Sequence, residues 1–89
     1  MAEDGRAKVD KFDGYDFAFW KMQIEDLLYQ KKLHGPLSEN KPFVMSQDDW
    51  NLLDRQALGV VRLSLAKNVA YNIASVTTTY GLLKALYDM

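Results

Sequence analysis

His34 is the single histidine of the chain, and Ser38 and Glu39 follow it closely enough that a Ser–His–acid group can be drawn on paper. Such a group works only where a rigid scaffold holds the nucleophile against its base. Gly35-Pro36 directly after His34 instead marks a helix end and a turn. The expected role of His34 is capping or solvation, since a partly charged imidazole suits the negative end of a helix. Carboxylates stand in adjacent pairs at Glu25-Asp26 and Asp48-Asp49. Neighbours on a helix point about 100° apart, so neither pair converges on one substrate atom. Catalytic carboxylates also need burial to shift their pKa. The absence of cysteine excludes disulfides, thiolate zinc sites and thiol nucleophiles. No His or acidic spacing matches a metal site. The five glycines form neither a Gly-x-Gly-x-x-Gly nor a Walker-type loop. These residues predict no catalytic group, no metal and no cofactor.

Lys31-Lys32, with His34 and Tyr29 nearby, is the densest basic spot. Aromatic residues beside cations can stack bases, but eleven Lys plus Arg against twelve Asp plus Glu leave a net charge of −1. A phosphate grip needs clustered cations, so RNA contact is not expected from this chain alone. No apolar run approaches the roughly 20 residues that span a bilayer. Met1–Asp10 has no apolar stretch of the signal-peptide kind. The expected compartment is cytoplasmic, with no membrane partner.

These side chains are carried by a chain of 89 residues, enough for one small domain. Its 48% hydrophobic content marks it as folded rather than disordered. Residues 1–11 carry six charges and little to bury, which predicts a flexible arm. Asp13-Gly14 marks a turn, and Asp16 is the expected N-cap of a helix over about Phe17 to Lys32. Its apolar residues Phe17, Trp20, Ile24, Leu27 and Leu28 fall in an arc of about 100°. Phe19, Met22 and Tyr29 lie off that arc, so Phe19 and Tyr29, with Tyr71, are candidates for an exposed patch.

The helix should stop at Leu33-His34-Gly35-Pro36, with Gly35 able to take a left-handed cap. Residues 35–45 read as a loop. Ser46, followed by Asp48 and Asp49, is a strong N-cap for a second helix over about Gln47 to Leu65. Trp50, Leu53, Ala57, Val60 and Val61 repeat the offsets of the first helix, and Trp20 and Trp50 sit mid-arc as expected core anchors. Ala66–Ala74 reads as a short third segment around Val69 and Ile73. Thr77 or Thr78 can cap a last helix carrying Leu82, Leu83, Leu86 and Met89 on one side. The fold class predicted is all-α, with about four helices and no strand.

The order of particular residues goes further than their periodicity. Lys11-Phe12-Asp13-Gly14-Tyr15-Asp16-Phe17, then Trp20, with Met22 and Leu27-Leu28, resembles the opening of Gag polyproteins from copia-type plant retrotransposons. Those chains begin with a Phe-x-Gly-x-Asn/Asp-Phe-x-x-Trp motif, represented here by Phe12, Gly14, Asp16, Phe17 and Trp20. Met45–Trp50, Leu53–Ala57 and Val61–Val69 resemble the same family in the same order. The resemblance covers about residues 8–89. It implies a helical capsid N-terminal lobe over 12–89, from a protein that assembles into shells around the element's RNA. It also implies that further helices and a Cys/His zinc knuckle normally follow the position of Met89, so the lobe reads as truncated.

Three functions are compatible with that resemblance. One is a capsid lobe working by homotypic assembly, alone or with full-length Gag. The second is a domesticated module that holds a host or pathogen protein in a hydrophobic groove. The third is an interfering fragment of Gag. The stripe of Leu82, Leu83, Leu86 and Met89 is the expected self-association surface, because bare apolar side chains each forfeit about 1.5–3 kcal/mol of burial and pairing two copies would cover them.

Overall fold

The computed structural model describes residues 9–89, among which four α-helices occur and no strand. They are α1 (Phe17–Gln30), α2 (Gln47–Leu63), α3 (Lys67–Asn72) and α4 (Thr79–Asp88), with a 3-10 turn over Gly35–Leu37 between α1 and α2. Of the arm expected over 1–11, residues 1–8 lie outside the described residues, and Val9 is half-buried against the core. The described chain measures 36 × 35 × 18 Å. That thinness leaves room for about two helix layers at the usual 8–10 Å spacing.

Helix α1 buries Trp20, Ile24 and Leu28, and packs the flanking Phe17 and Leu27 half-buried against the same core. Its start differs from the expectation. Asp16 has φ 53° and ψ 55° and makes no side-chain capping bond. In this left-handed conformation the side chain does not reach back to the first-turn amides. Asp and Asn tolerate the region better than other non-glycine residues. The helix also stops two residues early, and the left-handed cap falls on Lys32 (φ 60°) rather than Gly35. The Leu33 N–H donates to the Leu28 carbonyl at 2.8 Å and the Lys32 N–H to Tyr29 at 3.1 Å. This paired closure satisfies the last carbonyls of α1 and turns Leu33 inward. Gly35 serves another purpose. A Cβ there would sit 3.2 Å from Leu53 Cδ2, so its small size lets the 3-10 turn lie on α2.

The Ser46 hydroxyl accepts the Asp49 N–H at 3.1 Å, as expected of an N-cap, and α2 buries Ala57, Leu58 and Val61. Trp50 is only half-buried, which corrects its expected place as a core anchor. Against that end of α2 lies the 3-10 turn, and the indole borders an open cleft lined by Pro36, Ser38 and Glu39. Leu53 and Val60 are likewise half-buried.

Past α2 the chain runs beside its own beginning. The Phe12 N–H donates to Ser64 O at 2.9 Å, and the Ala66 N–H donates to Phe12 O at 2.8 Å. This isolated bridge seats Phe12 and Leu65 in the core. Helix α3 adds Val69, and Ile73 follows at its C-cap.

Helix α4 packs against α2 and the 3-10 turn. Its Thr78 hydroxyl accepts the Gly81 N–H at 3.1 Å. Thr79 is fully buried, its N–H donating to Asp54 Oδ1 at 2.9 Å and its hydroxyl to the Asp54 carbonyl at 3.1 Å. Two of the amides orphaned at a helix start are thereby satisfied, and a carboxylate meets the positive end of the helix. Leu82, Leu83 and Leu86 are 0%, 6% and 2% exposed. The expected self-association stripe is therefore corrected. Three of its four residues are already covered inside one copy, because α2 and the 3-10 turn take that side of α4; Met89 alone of the four is exposed.

Candidate functional site

The residues first considered for chemistry are not brought together. His34 is exposed, and its ring stacks on Tyr29 at 4.1 Å with 10° between the planes. The Ser38 hydroxyl accepts the Asn40 N–H at 3.2 Å, closing a local turn. Glu25 pairs with Lys21 at 2.9 Å on the side of α1, and Asp48 and Asp49 occupy the first turn of α2. Pro36, Ser38, Glu39, Trp50, Asp54, Thr78 and Tyr80 line a cleft of about 190 Å³, in which the Asp54 carboxylate is engaged by the Thr79 N–H. Among the described residues no three His, Asp or Glu side chains group as metal ligands.

The N-terminal motif is structural. Phe12, Phe17 and Trp20 form an aromatic cluster, with Phe12 5.6 Å from Phe17 and 5.0 Å from Trp20 between ring centres. Gly14 has φ 108°, a conformation open to glycine and costly to other residues. It lets the chain turn from the bridge beside Ser64 into α1, and Asp16 completes that turn in the left-handed region. The spacing of the motif thus follows from one aromatic cluster and two special backbone positions. The Trp20 indole nitrogen is buried with no acceptor among the described residues.

What the core leaves outside is more telling. Phe19, Met22 and Tyr29 all face solvent from α1, more than half exposed, and the ring of His34 extends this surface from Tyr29. Exposed aromatic and methionine side chains are the residues enriched at protein–protein contacts. On α2, Leu52 and Leu63 are 60% and 78% exposed. Gly59, Val60 and Leu63 line an open groove of about 740 Å³ with Leu33, bordered by Lys31 and Arg55. Phe43 and Val44 protrude from the loop before α2. Tyr71 is exposed on α3, with Lys67 Nζ 6.0 Å from its ring centre. Sequence reasoning identified Phe19, Met22 and Tyr29 by their angle to the apolar arc. It missed Phe43 and Val44, whose only signal is two large apolar residues directly after Pro42 in a polar loop.

The fold and its surface thus define a small all-α domain with a completed core and large apolar side chains displayed outside it. The chain is similar to the "Retrovirus-related Pol polyprotein from transposon TNT 1-94" of Nicotiana tabacum, with 37% identity over 86 residues. The match covers 90% of this chain and 6% of that polyprotein, in its N-terminal region. This similarity supports a relationship to a copia-type retrotransposon. No family model matches the chain, and no solved structure matches it.

Proposed function

We propose that the chain is a non-enzymatic assembly domain from the Gag region of a copia-type retrotransposon, acting through contacts between copies of itself. The observation that carries this reading is the display of Phe19, Met22 and Tyr29 on the outer face of α1 although the core is complete without them. Side chains of this kind, left in water, favour association by the area that association removes from it. The N-terminal position of the match within a retrotransposon polyprotein supports the same reading, as does the helical fold. The proposed role does not call on RNA contact by this chain alone, whose net charge is −1.

Sedimentation of the chain from micromolar to submillimolar concentration tests it. The average mass should rise with concentration, and Phe19→Ser with Met22→Ser should weaken that rise while leaving the helical circular-dichroism signal intact. A monomer mass across the whole range would overturn the proposal. The groove beside Gly59 supports a second reading, in which the domain holds a segment of a host protein. A chain that stays monomeric yet binds such a segment in one-to-one ratio would favour it.

A further inference from the structure

Phe43 and Val44 are 99% and 93% exposed, the two most exposed large apolar residues of the described chain. They do not hang from a slack loop. The Met45 N–H donates to the Pro42 carbonyl at 3.1 Å and closes a tight turn around them. The Lys41 ammonium donates to Met45 O at 2.6 Å and to Pro42 O at 3.3 Å, tying both ends of that turn. The cap bond of Ser46 then joins the turn to the start of α2. A turn held this way presents two apolar side chains with little ordering entropy left to lose on binding.

We propose that this turn is a knob that seats in the α2 groove of a second copy of the chain, in a head-to-tail contact. The inference rests on the assembly reading above and adds to the α1 face a second pair of surfaces. Three observations select a second copy as the occupant. The groove is lined by Leu33, Gly59, Val60 and Leu63 together with Gln56, an open and mostly apolar surface with room for a Phe and a Val side chain. The charges are complementary on balance: Glu39, Asp48 and Asp49 outnumber Lys41 around the knob in sequence, and the Lys41 ammonium is engaged by the Pro42 and Met45 carbonyls, while Lys31 and Arg55 line the groove. The third is distance within one copy. The knob precedes α2 and the groove lies along its later half. A 17-residue helix is about 25 Å long, so the rigid α2 keeps the knob from reaching its own groove.

Knob and groove on different surfaces make the contact heterologous, and such a contact propagates into chains or rings rather than closing at two. A knob of two side chains buries well under the roughly 800 Å² per partner of a stable complex. Single contacts are therefore weak, and association through them belongs to the upper end of the concentration range.

Two variants separate the surfaces. Phe43→Ser with Val44→Ser removes the knob at positions that touch nothing. Gly59→Gln fills the groove; a Cβ at this position would lie 3.4 Å from the flexible end of Arg55, so the monomer accepts it. Both should retain the wild-type melting temperature or exceed it. In light scattering after size exclusion, each variant alone should grow less with concentration than the wild type, keeping only the association that α1 supplies. An equimolar mixture should regain association beyond either variant alone, by one knob-in-groove contact per pair, because it contains one intact knob and one intact groove. The regained association should also weaken as salt is raised, since charge guides the contact. A mixture that regains no association over the separate variants, or variants that associate like the wild type, would overturn the proposal. The second of these outcomes would leave the assembly reading standing through α1, whereas a monomeric wild type would remove both.

Discussion

Replacing Asp54 by alanine removes the carboxylate that receives the Thr79 N–H at 2.9 Å. That amide belongs to the first residue of α4, which has no intrahelical acceptor, and Thr79 is fully buried. Water can reach the vacated position only through the cleft that Asp54 lines. A hydrogen bond to a charged group is worth about 1.5–3 kcal/mol, and an unpaired buried donor carries a similar penalty. The carboxylate also faces the positive end of α4, which adds in the same direction. At roughly 0.05–0.15 kcal/mol per residue, a domain of this length has about 4–13 kcal/mol in total. Asp54→Ala therefore removes a substantial part of it. With about 4–8 °C per kcal/mol for domains of this size, the melting temperature should fall by roughly 6–24 °C. Asp54→Asn keeps an amide oxygen in place of the carboxylate oxygen and should cost about half as much or less. Urea denaturation gives the free energies, and hydrogen exchange at the Thr79 amide gives the local readout. An Asp54→Ala loss below about 0.5 kcal/mol, or equal losses for Ala and Asn, would refute the role assigned to this contact.

Three further outcomes follow from packing and capping. Trp20→Ala should cost about 3–5 kcal/mol, the range for a fully buried aromatic, while Trp50→Ala, which starts half-exposed, should cost clearly less; thermal melts of the pair check the ranking. Ser46→Ala should lower stability by about 0.5–2 kcal/mol through loss of the bond to the Asp49 N–H, measured by the same denaturation curves. Gly59→Ala should raise stability by up to about 1 kcal/mol because α2 gains helix propensity. The same change at Gly81 should bring no such gain, since its Cβ would fall 2.7 Å from the Thr78 hydroxyl that caps α4; calorimetry of the two variants distinguishes them.

The sequence by itself determined the elements and much of their buried sides. Apolar offsets of three and four residues placed Trp20, Ile24 and Leu28 inward and set Phe19, Met22 and Tyr29 off that side, where only the structure shows them exposed. Both properties depend on helical geometry that adjacent residues share. Ser46 and Thr78 were legible as caps because a cap bonds an amide only three residues away. The aromatic motif was legible as a pattern, although its reason appears only when Phe12 meets Ser64 and Trp20 in space.

Tertiary structure decided which apolar sides are covered and by what. The stripe of α4 reads the same whether α2 or a second copy lies on it, and only the packing assigns Leu82, Leu83 and Leu86 to the core. Trp50 has the helical position of an anchor, but its indole borders the open cleft lined by Pro36, Ser38 and Glu39, so its surroundings rather than its periodicity leave it only half-buried. Asp54 and Thr79 stand 25 residues apart, a separation at which a hydrogen bond has no local signature. Asp16 resembles a cap in sequence, and the turn required to bring Phe12 alongside Ser64 places it in the left-handed region instead. Phe43 and Val44 show why the displayed surface was the least legible part. Exposure depends on the absence of neighbours from the rest of the chain, which no short window of sequence records.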